Sequence, residues 1–143
     1  MITLTVDGTM GFYGSSSTNQ YSGILRYASG TDTRNRTYQN AVQRVEIGSG
    51  VTSIGTYAFN YCYSLASITI PDGVTSINAY VFRDCCGVRY YDFTNHTAVP
   101  TLSNTNAFVG IPADCEIRVP AALAEEWKAA TNWSTYADYI VGV

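Results

Sequence analysis

The sequence predicts an α+β solenoid: a short array of about four stacked repeats over residues 41–119, with an N-terminal β cap over residues 1–40 and a C-terminal helical cap over residues 120–143. Three observations predict it. Residues 45–67 and 68–90 align without a gap and agree at nine of 23 positions, where unrelated segments share on the order of one or two. The columns that agree are mostly apolar, Ile47 with Ile70, Val51 with Val74, Ile54 with Ile77, Tyr57 with Tyr80, Phe59 with Phe82 and Cys62 with Cys85, so what repeats is a core. After Pro120 the period changes to that of a helix, with Leu123, Trp127 and Ala130 on one face.

The elements follow in chain order. Ile2-Thr3-Leu4-Thr5-Val6 alternates apolar with polar and stops at Asp7-Gly8, a strand followed by a turn. Residues 11–23 are rich in Gly, Ser, Asn and Tyr and have no helical period; Ile24 to Tyr27 is a candidate second strand before the polar run from Ser29 to Thr37. Together they read as a cap over Val42, Val45 and Ile47, the alternative being a strand that pairs with another chain or an upstream domain. Within a repeat, Ile68-Thr69-Ile70 has the period of a half-buried strand. Pro71-Asp72-Gly73 turns the chain, Val74 to Ile77 forms a second short strand, and Asn78 to Arg83 forms a helical or 3₁₀ turn that drives Phe82 inward.

In the third copy, Tyr91 and Phe93 take the Ile68 and Ile70 columns, and Val99, Leu102 and Phe108 arrive about three residues late, which places an insertion around Asn95 to Pro100. Ile117 and Val119 supply a fourth strand. Pro120 suits the first turn of a helix, and Trp133, Tyr136 and Ile140 extend the lid in a second short helix after Thr131-Asn132. Both ends need covers, because an open terminal repeat exposes apolar side chains and an unpaired strand edge.

The string Ile70-Pro-x-Gly-Val-Thr-Ser-Ile-x-x-Tyr-x-Phe-x-x-Cys85 resembles the BspA-like class of leucine-rich repeats, and residues 117–140 resemble the helical tail that closes many such arrays. The resemblance covers residues 42 to about 140. It implies a leucine-rich repeat fold of the kind found on bacterial surface proteins, on some parasite surfaces and in proteins of gut bacteria and their phages. Cys86-Gly87 departs from the usual small polar pair before the Leu65/Val88 column, and the third repeat is stretched.

Composition excludes several classes. The 143 residues are 46% hydrophobic and 13% charged, enough core for one domain. A net charge of −3 with a single lysine argues against nucleic acid, which requires a basic stripe. Basic residues gather at Arg26, Arg34, Arg36 and Arg44, read as a solvated loop, with an anionic partner as the second reading. No apolar run reaches the length of a membrane span. Met1 leads into the first strand without a basic segment and a long apolar one, as expected of a chain made without a secretory signal or of a piece of a longer exported protein.

Site chemistry is sparse. Cys62 and Cys85 share a column and read as small buried hydrophobes, with a bridge between them geometrically open; Cys85 and Cys86 point different ways, and Cys115 lies beside the fourth strand. Zinc spacing is missing, so no metal or cofactor is expected. His96, the lone histidine, reads as a solvated loop residue. Glu46, Asp92 and Glu116 are the candidates for a carboxylate pair, but the same face carries Arg44 and Arg118 to satisfy them, and no catalytic residues are assigned. The sequons at Asn35, Asn95 and Asn132 read as chance.

What remains is a binding face. Arg44 and Glu46, Ser67 and Thr69, Tyr90 and Asp92, and Glu116 and Arg118 alternate with the core columns and should line one side in successive repeats. Tyrosines at positions 13, 21, 57, 61, 63 and 80 offer further contact area, although Tyr57 and Tyr80 read mainly as covers over the core. The expected function is a non-enzymatic recognition or adhesion module that binds a protein or glycan at a bacterial surface. The alternative is a phage tail-associated structural or receptor-contacting protein, located on the virion.

Overall fold

The computed structural model describes residues 2–6 and 42–143. Among the described residues, nine short strands form three sheets, and every pairing between them is parallel. In chain order they are β1 (Ile2–Val6), β2 (Val42–Ile47), β3 (Ser53–Ile54), β4 (Ser67–Thr69), β5 (Ser76–Ile77), β6 (Tyr90–Asp92), β7 (Thr101–Leu102), β8 (Glu116–Val119) and β9 (Ile140–Gly142). The larger sheet runs β4-β6-β8-β9, the smaller β3-β5-β7, and β1 pairs with β2. The expected Ile24 to Tyr27 strand, and the loop residues Tyr13, Tyr21, Arg26, Arg34 and Arg36, lie outside the described residues.

Successive copies stack in the register of the repeat. Ser67, Tyr90 and Glu116 align along the large sheet, and Ser53, Ser76 and Thr101 along the small one. Between the sheets lies the core of the repeat columns: Ile54, Phe59, Leu65, Ile70, Val74, Ile77, Phe82 and Phe93 are fully buried. Phe59, Phe82 and Phe108 stack in a row with centroids 5.7 and 5.2 Å apart. A single copy has no second layer to bury this column against; each ring finds it in the next copy.

The return segment keeps the three-residue bonds of the expected helical or 3₁₀ turn but does not run as a continuous helix. Main-chain bonding alternates: Ala58, Asn60 and Cys62 donate back three residues, whereas Tyr57, Phe59 and Tyr61 donate across to Ala79, Val81 and Arg83 of the next copy. The backbone is left-handed at Tyr57 (φ 64°), Tyr61 (φ 60°), Tyr80 (φ 57°) and Asp84 (φ 54°), which interrupts any continuous helix. In the third copy the same column holds Gly110, with φ 80°. Gly87 is needed for a different reason, since a Cβ there would lie 2.3 Å from the Tyr63 carbonyl oxygen of the preceding copy.

The insertion in the third copy is absorbed in two steps. Ile77 pairs with Leu102, two residues beyond the 23-residue register, and Phe82 donates to Ala107 and stacks on Phe108, one residue further. At the C-terminal end, a 3₁₀ turn (Ala121–Leu123), helix α1 (Ala124–Ala129) and a 3₁₀ segment (Trp133–Tyr139) close the array. Trp127, Trp133 and Tyr136 are buried, and Leu123 and Ala130 pack against the core as the helical period predicts. The lid is pinned to the third copy: Trp133 Nε1 donates to the Pro100 carbonyl at 2.7 Å, Asn132 to Leu102 at 2.7 Å, and the Tyr136 hydroxyl to Thr105.

Ile140 does not continue the second helix. It opens β9, which pairs in parallel with β8, Ile140 beside Ile117. The β-branched run Ile140-Val141 meets the unpaired edge of β8, and pairing that edge satisfies main-chain groups that a helix would leave open.

Candidate recognition face

Register brings six of the eight expected face residues into two straight rows. Ser67, Tyr90 and Glu116 form one; Thr69, Asp92 and Arg118 form the other, which Val141 extends. Neighbouring members of a row are about 4.8 Å apart, the spacing of paired strands. Arg44 and Glu46 stand on β2, which does not join this sheet.

Charge on the face is internally matched. Arg44 and Glu46 pair at 2.9 Å while largely exposed. Arg118 donates to Glu116 at 2.7 Å and places its guanidinium 3.9 Å from the Tyr90 ring centroid. The bond to Glu116 raises the Arg118 pKa further. Asp92 accepts from the Thr94 N–H at 2.9 Å and from its hydroxyl at 2.7 Å, which ends β6 in a tight turn. Each of the three candidate carboxylates is thus held by a neighbouring group, two of them by the arginines expected to satisfy them. Their arrangement is one of salt bridge and turn cap.

Between β2 and β4 the face opens into a trough of about 520 Å³. It is lined by the apolar Val45, Ile47, Ile68 and Pro71, of which Val45 and Ile68 are themselves buried, and by the polar Gln43, Arg44, Glu46, Ser67 and Thr69. Four of these, Arg44, Glu46, Ser67 and Thr69, were expected on the face. The apolar part of the lining was not, because Val45, Ile47 and Ile68 occupy core columns and carry the same alternation as their counterparts in the later copies. A concave surface with convergent polar groups is a common form of ligand site.

A second exposed surface lies on the return segments. Tyr57 and Tyr80 stack 5.1 Å apart and 7° from coplanar, and Arg83 lies over Tyr61 and Tyr80 at 5.2 and 5.5 Å. Tyr57 and Tyr80 are half-buried, and Tyr63 is 44% exposed.

His96 corrects the sequence reading. It is 4% exposed, with Nε2 3.0 Å from the Ile70 carbonyl and its ring against Phe93 and Trp127. Burial lowers its pKa, opposed by the Ile70 carbonyl and by Asp72, whose carboxylate lies 4.0 Å from Nδ1. The inserted residues let the loop fold back under the cap, so its one aromatic side chain becomes core. The thiols of Cys62 and Cys85 are free and buried, with no bridge between them. Cys85 donates to the Phe59 carbonyl, and the Cys85 thiol and burial together hold Cys62 well above the ordinary thiol range. Burial pushes Cys115 up to about 12. Cys62 and Cys115 therefore stay protonated near neutral pH and are poor nucleophiles; Cys86 is exposed. Among the described residues there is no group of side chains able to hold a metal ion, and no helix long and apolar enough to cross a membrane.

The family model for BspA-type leucine-rich repeat regions matches residues 33–121 in six copies. The chain belongs to this family, whose members are in general protein-interaction modules rather than enzymes. No curated protein matches the sequence.

Proposed function

We propose that the chain is a recognition module, a solenoid of about four rungs whose strand face binds a protein or glycan partner at a bacterial surface. The observation that carries this reading is the trough: small hydroxyl side chains, Ser67 and Thr69, stand between the Arg44–Glu46 pair and the Tyr90–Arg118 pair on one strand face. Family membership supports it independently, and the internally paired carboxylates point to binding rather than bond breaking. The domain division offered from the sequence, a cap over residues 1–40, repeats over 41–119 and a lid over 120–143, belongs to the same proposal.

The purified chain is to be screened against host matrix proteins, mucins and a glycan array, followed by the double variant Ser67→Arg, Thr69→Arg, which fills the trough with charge at exposed or half-exposed positions. The expected result is a ligand whose affinity falls at least about tenfold in the variant, or about 1.4 kcal/mol, while the melting temperature holds. Absence of any ligand, or full retention of binding by the variant, overturns the reading.

A further inference from the structure

On the strand face the height of the side chains drops at one strand. The 23-residue repeat sets Arg44, Ser67 and Tyr90 in one row and Glu46, Thr69 and Asp92 in the other, Ser67 pairing with Tyr90 and Thr69 with Asp92. Of β2, β4, β6 and β8, only β4 carries two short side chains outward. β2 and β4 lie in close contact, and the inward Val45 and Ile68 are buried. The trough is therefore a depression in the outer layer of side chains, not a gap between strands. It holds about 520 Å³, within the roughly 300–1,000 Å³ of small-molecule sites.

Five polar side chains converge on it, Gln43, Arg44, Glu46, Ser67 and Thr69. Donors and acceptors are balanced among them. Glu46 accepts, Arg44 donates, and the Gln43 amide and the two hydroxyls do both. Hydroxyls on a sugar ring are likewise donors and acceptors, and a neighbouring pair of them meets a carboxylate or a guanidinium fork bidentately. The 2.9 Å contact between Arg44 and Glu46 holds these two groups side by side without consuming them, since the guanidinium keeps further donors and the carboxylate further lone pairs. Half-buried Ile47 and Pro71 offer apolar atoms to the C–H side of a ring.

Size and charge narrow the ligand class. The four paired strands with β2 beside them span about 19 Å at ~4.8 Å per step, and strands of three residues are about 10 Å long. The resulting area of about 200 Å² is far below the roughly 800 Å² that a stable protein partner covers. A small ligand has no such requirement. The one cation that lines the trough, Arg44, is already paired with Glu46, which leaves no uncompensated charge for a sulfate or a sugar carboxylate. We propose that the trough binds the end of a neutral glycan, a terminal sugar and its neighbour, whose hydroxyls bond to Gln43, Arg44, Glu46, Ser67 and Thr69. The inference rests on the recognition reading above and specifies its ligand class.

The full chain is to be applied to an array of neutral and acidic glycans, where clustered display offsets weak single-site binding, and each hit titrated as the free oligosaccharide against the amide resonances of the protein. Expected are neutral hits, shifts confined to Gln43 to Ile47 and Ser67 to Ile70, and an affinity that changes less than about twofold when added salt screens exposed charges. Glu46→Gln removes acceptor sites from the trough and should lower affinity at least about tenfold while the melting temperature holds. Glu125→Gln, the same exchange on the lid, should leave binding intact. The glycan site is overturned if no neutral glycan binds, if only acidic ones do, if the shifts fall elsewhere, or if Glu46→Gln binds as well as the parent. A protein ligand on the same face would sink the glycan and leave the recognition reading standing; no ligand of either kind sinks both.

Discussion

Two consecutive steps of the array, from the first copy to the second and from the second to the third, are built from nearly the same residues and end differently. In the second step, β4 and β6 pair on the large face, β5 and β7 on the small one, and the return segments bond across. In the first, β3 and β5 pair and the return segments bond, but β2 and β4 leave the trough. Ile47 and Ile70 hold the same column, yet Ile70 is fully buried and Ile47 only partly. Identical core residues therefore fix that the copies stack, while the outer edge is free to open on one side. A recognition site can be set into such an array without disturbing the columns that hold it up.

The sharpest way to break this comparison is to truncate the shared column twice. Ile70→Ala removes a fully buried side chain and should cost about 2–5 kcal/mol, whereas Ile47→Ala, beside the trough, should cost less than about 2 kcal/mol because water can enter what the side chain vacates. Urea unfolding of the two variants measures the difference. Equal losses would mean that the first step is as tightly closed as the second.

Next in size is Gly87→Ala. The new Cβ meets the Tyr63 carbonyl at 2.3 Å, a backbone atom that cannot rotate away, so the second copy must shift against the first. A cost of about 1–3 kcal/mol is expected, and because Tyr63 belongs to the first copy, amide resonances of β2 and the trough should move with those of Gly87. Movement confined to the third copy would contradict the assignment of this contact to the first step.

The difference between the steps was only partly legible in sequence. Columns, period and cap helix follow from apolar side chains that recur at fixed spacing, and burial leaves that mark directly on residue identity. The strand face also follows, since alternation places Ser67, Tyr90 and Glu116 on the side opposite Ile68, Tyr91 and Ile117. The open edge leaves no such mark, because Val45-Glu46-Ile47 alternates just as Ile68-Thr69-Ile70 does, and main-chain bonding between strands is not encoded by either. The left-handed backbone at Tyr57, Tyr61 and Tyr80 was hidden for the opposite reason: tyrosine disfavours it, and only Asp84 and Gly110, in the later copies, give a hint. His96 was misplaced because polarity suggests solvent, whereas its partners, Ile70, Asp72 and Trp127, come from two other elements.

His96 offers a third test, now on the closed side. Its ring fixes the insertion loop to the Ile70 carbonyl, which is also where the second copy turns. Burial lowers its pKa below the ordinary value of about 6.5, so the unfolded chain binds the proton more readily than the folded one. The stability this contributes is complete above the unfolded pKa and is lost as pH falls through the folded pKa. Thermal unfolding should therefore show a fall in melting temperature below about pH 6.5, attenuated in His96→Ala, which is already destabilised at high pH by its lost packing on Phe93 and Trp127. An imidazole that titrates at or above the ordinary value would refute the burial. Asp72, exposed and bonded to Thr97, works against the shift, so Asp72→Asn should lower the His96 pKa further.

The smallest expected effect lies at the trough rim. Glu46→Gln breaks an ion pair whose side chains are 61% and 48% exposed, and solvent screening should hold the change within about 0.5 kcal/mol, vanishing at high salt. The same exchange at Glu116 releases Arg118, which also lies over Tyr90, and so removes the anchor of a three-residue arrangement rather than one pair. Double-mutant cycles on each pair measure the coupling directly. A larger coupling for Glu116 and Arg118 than for Arg44 and Glu46 would make the β6–β8 part of the face the more rigid, leaving the β2 wall of the trough free to adjust to what enters. Equal couplings would remove that asymmetry and, with it, the reason to expect the ligand to order β2.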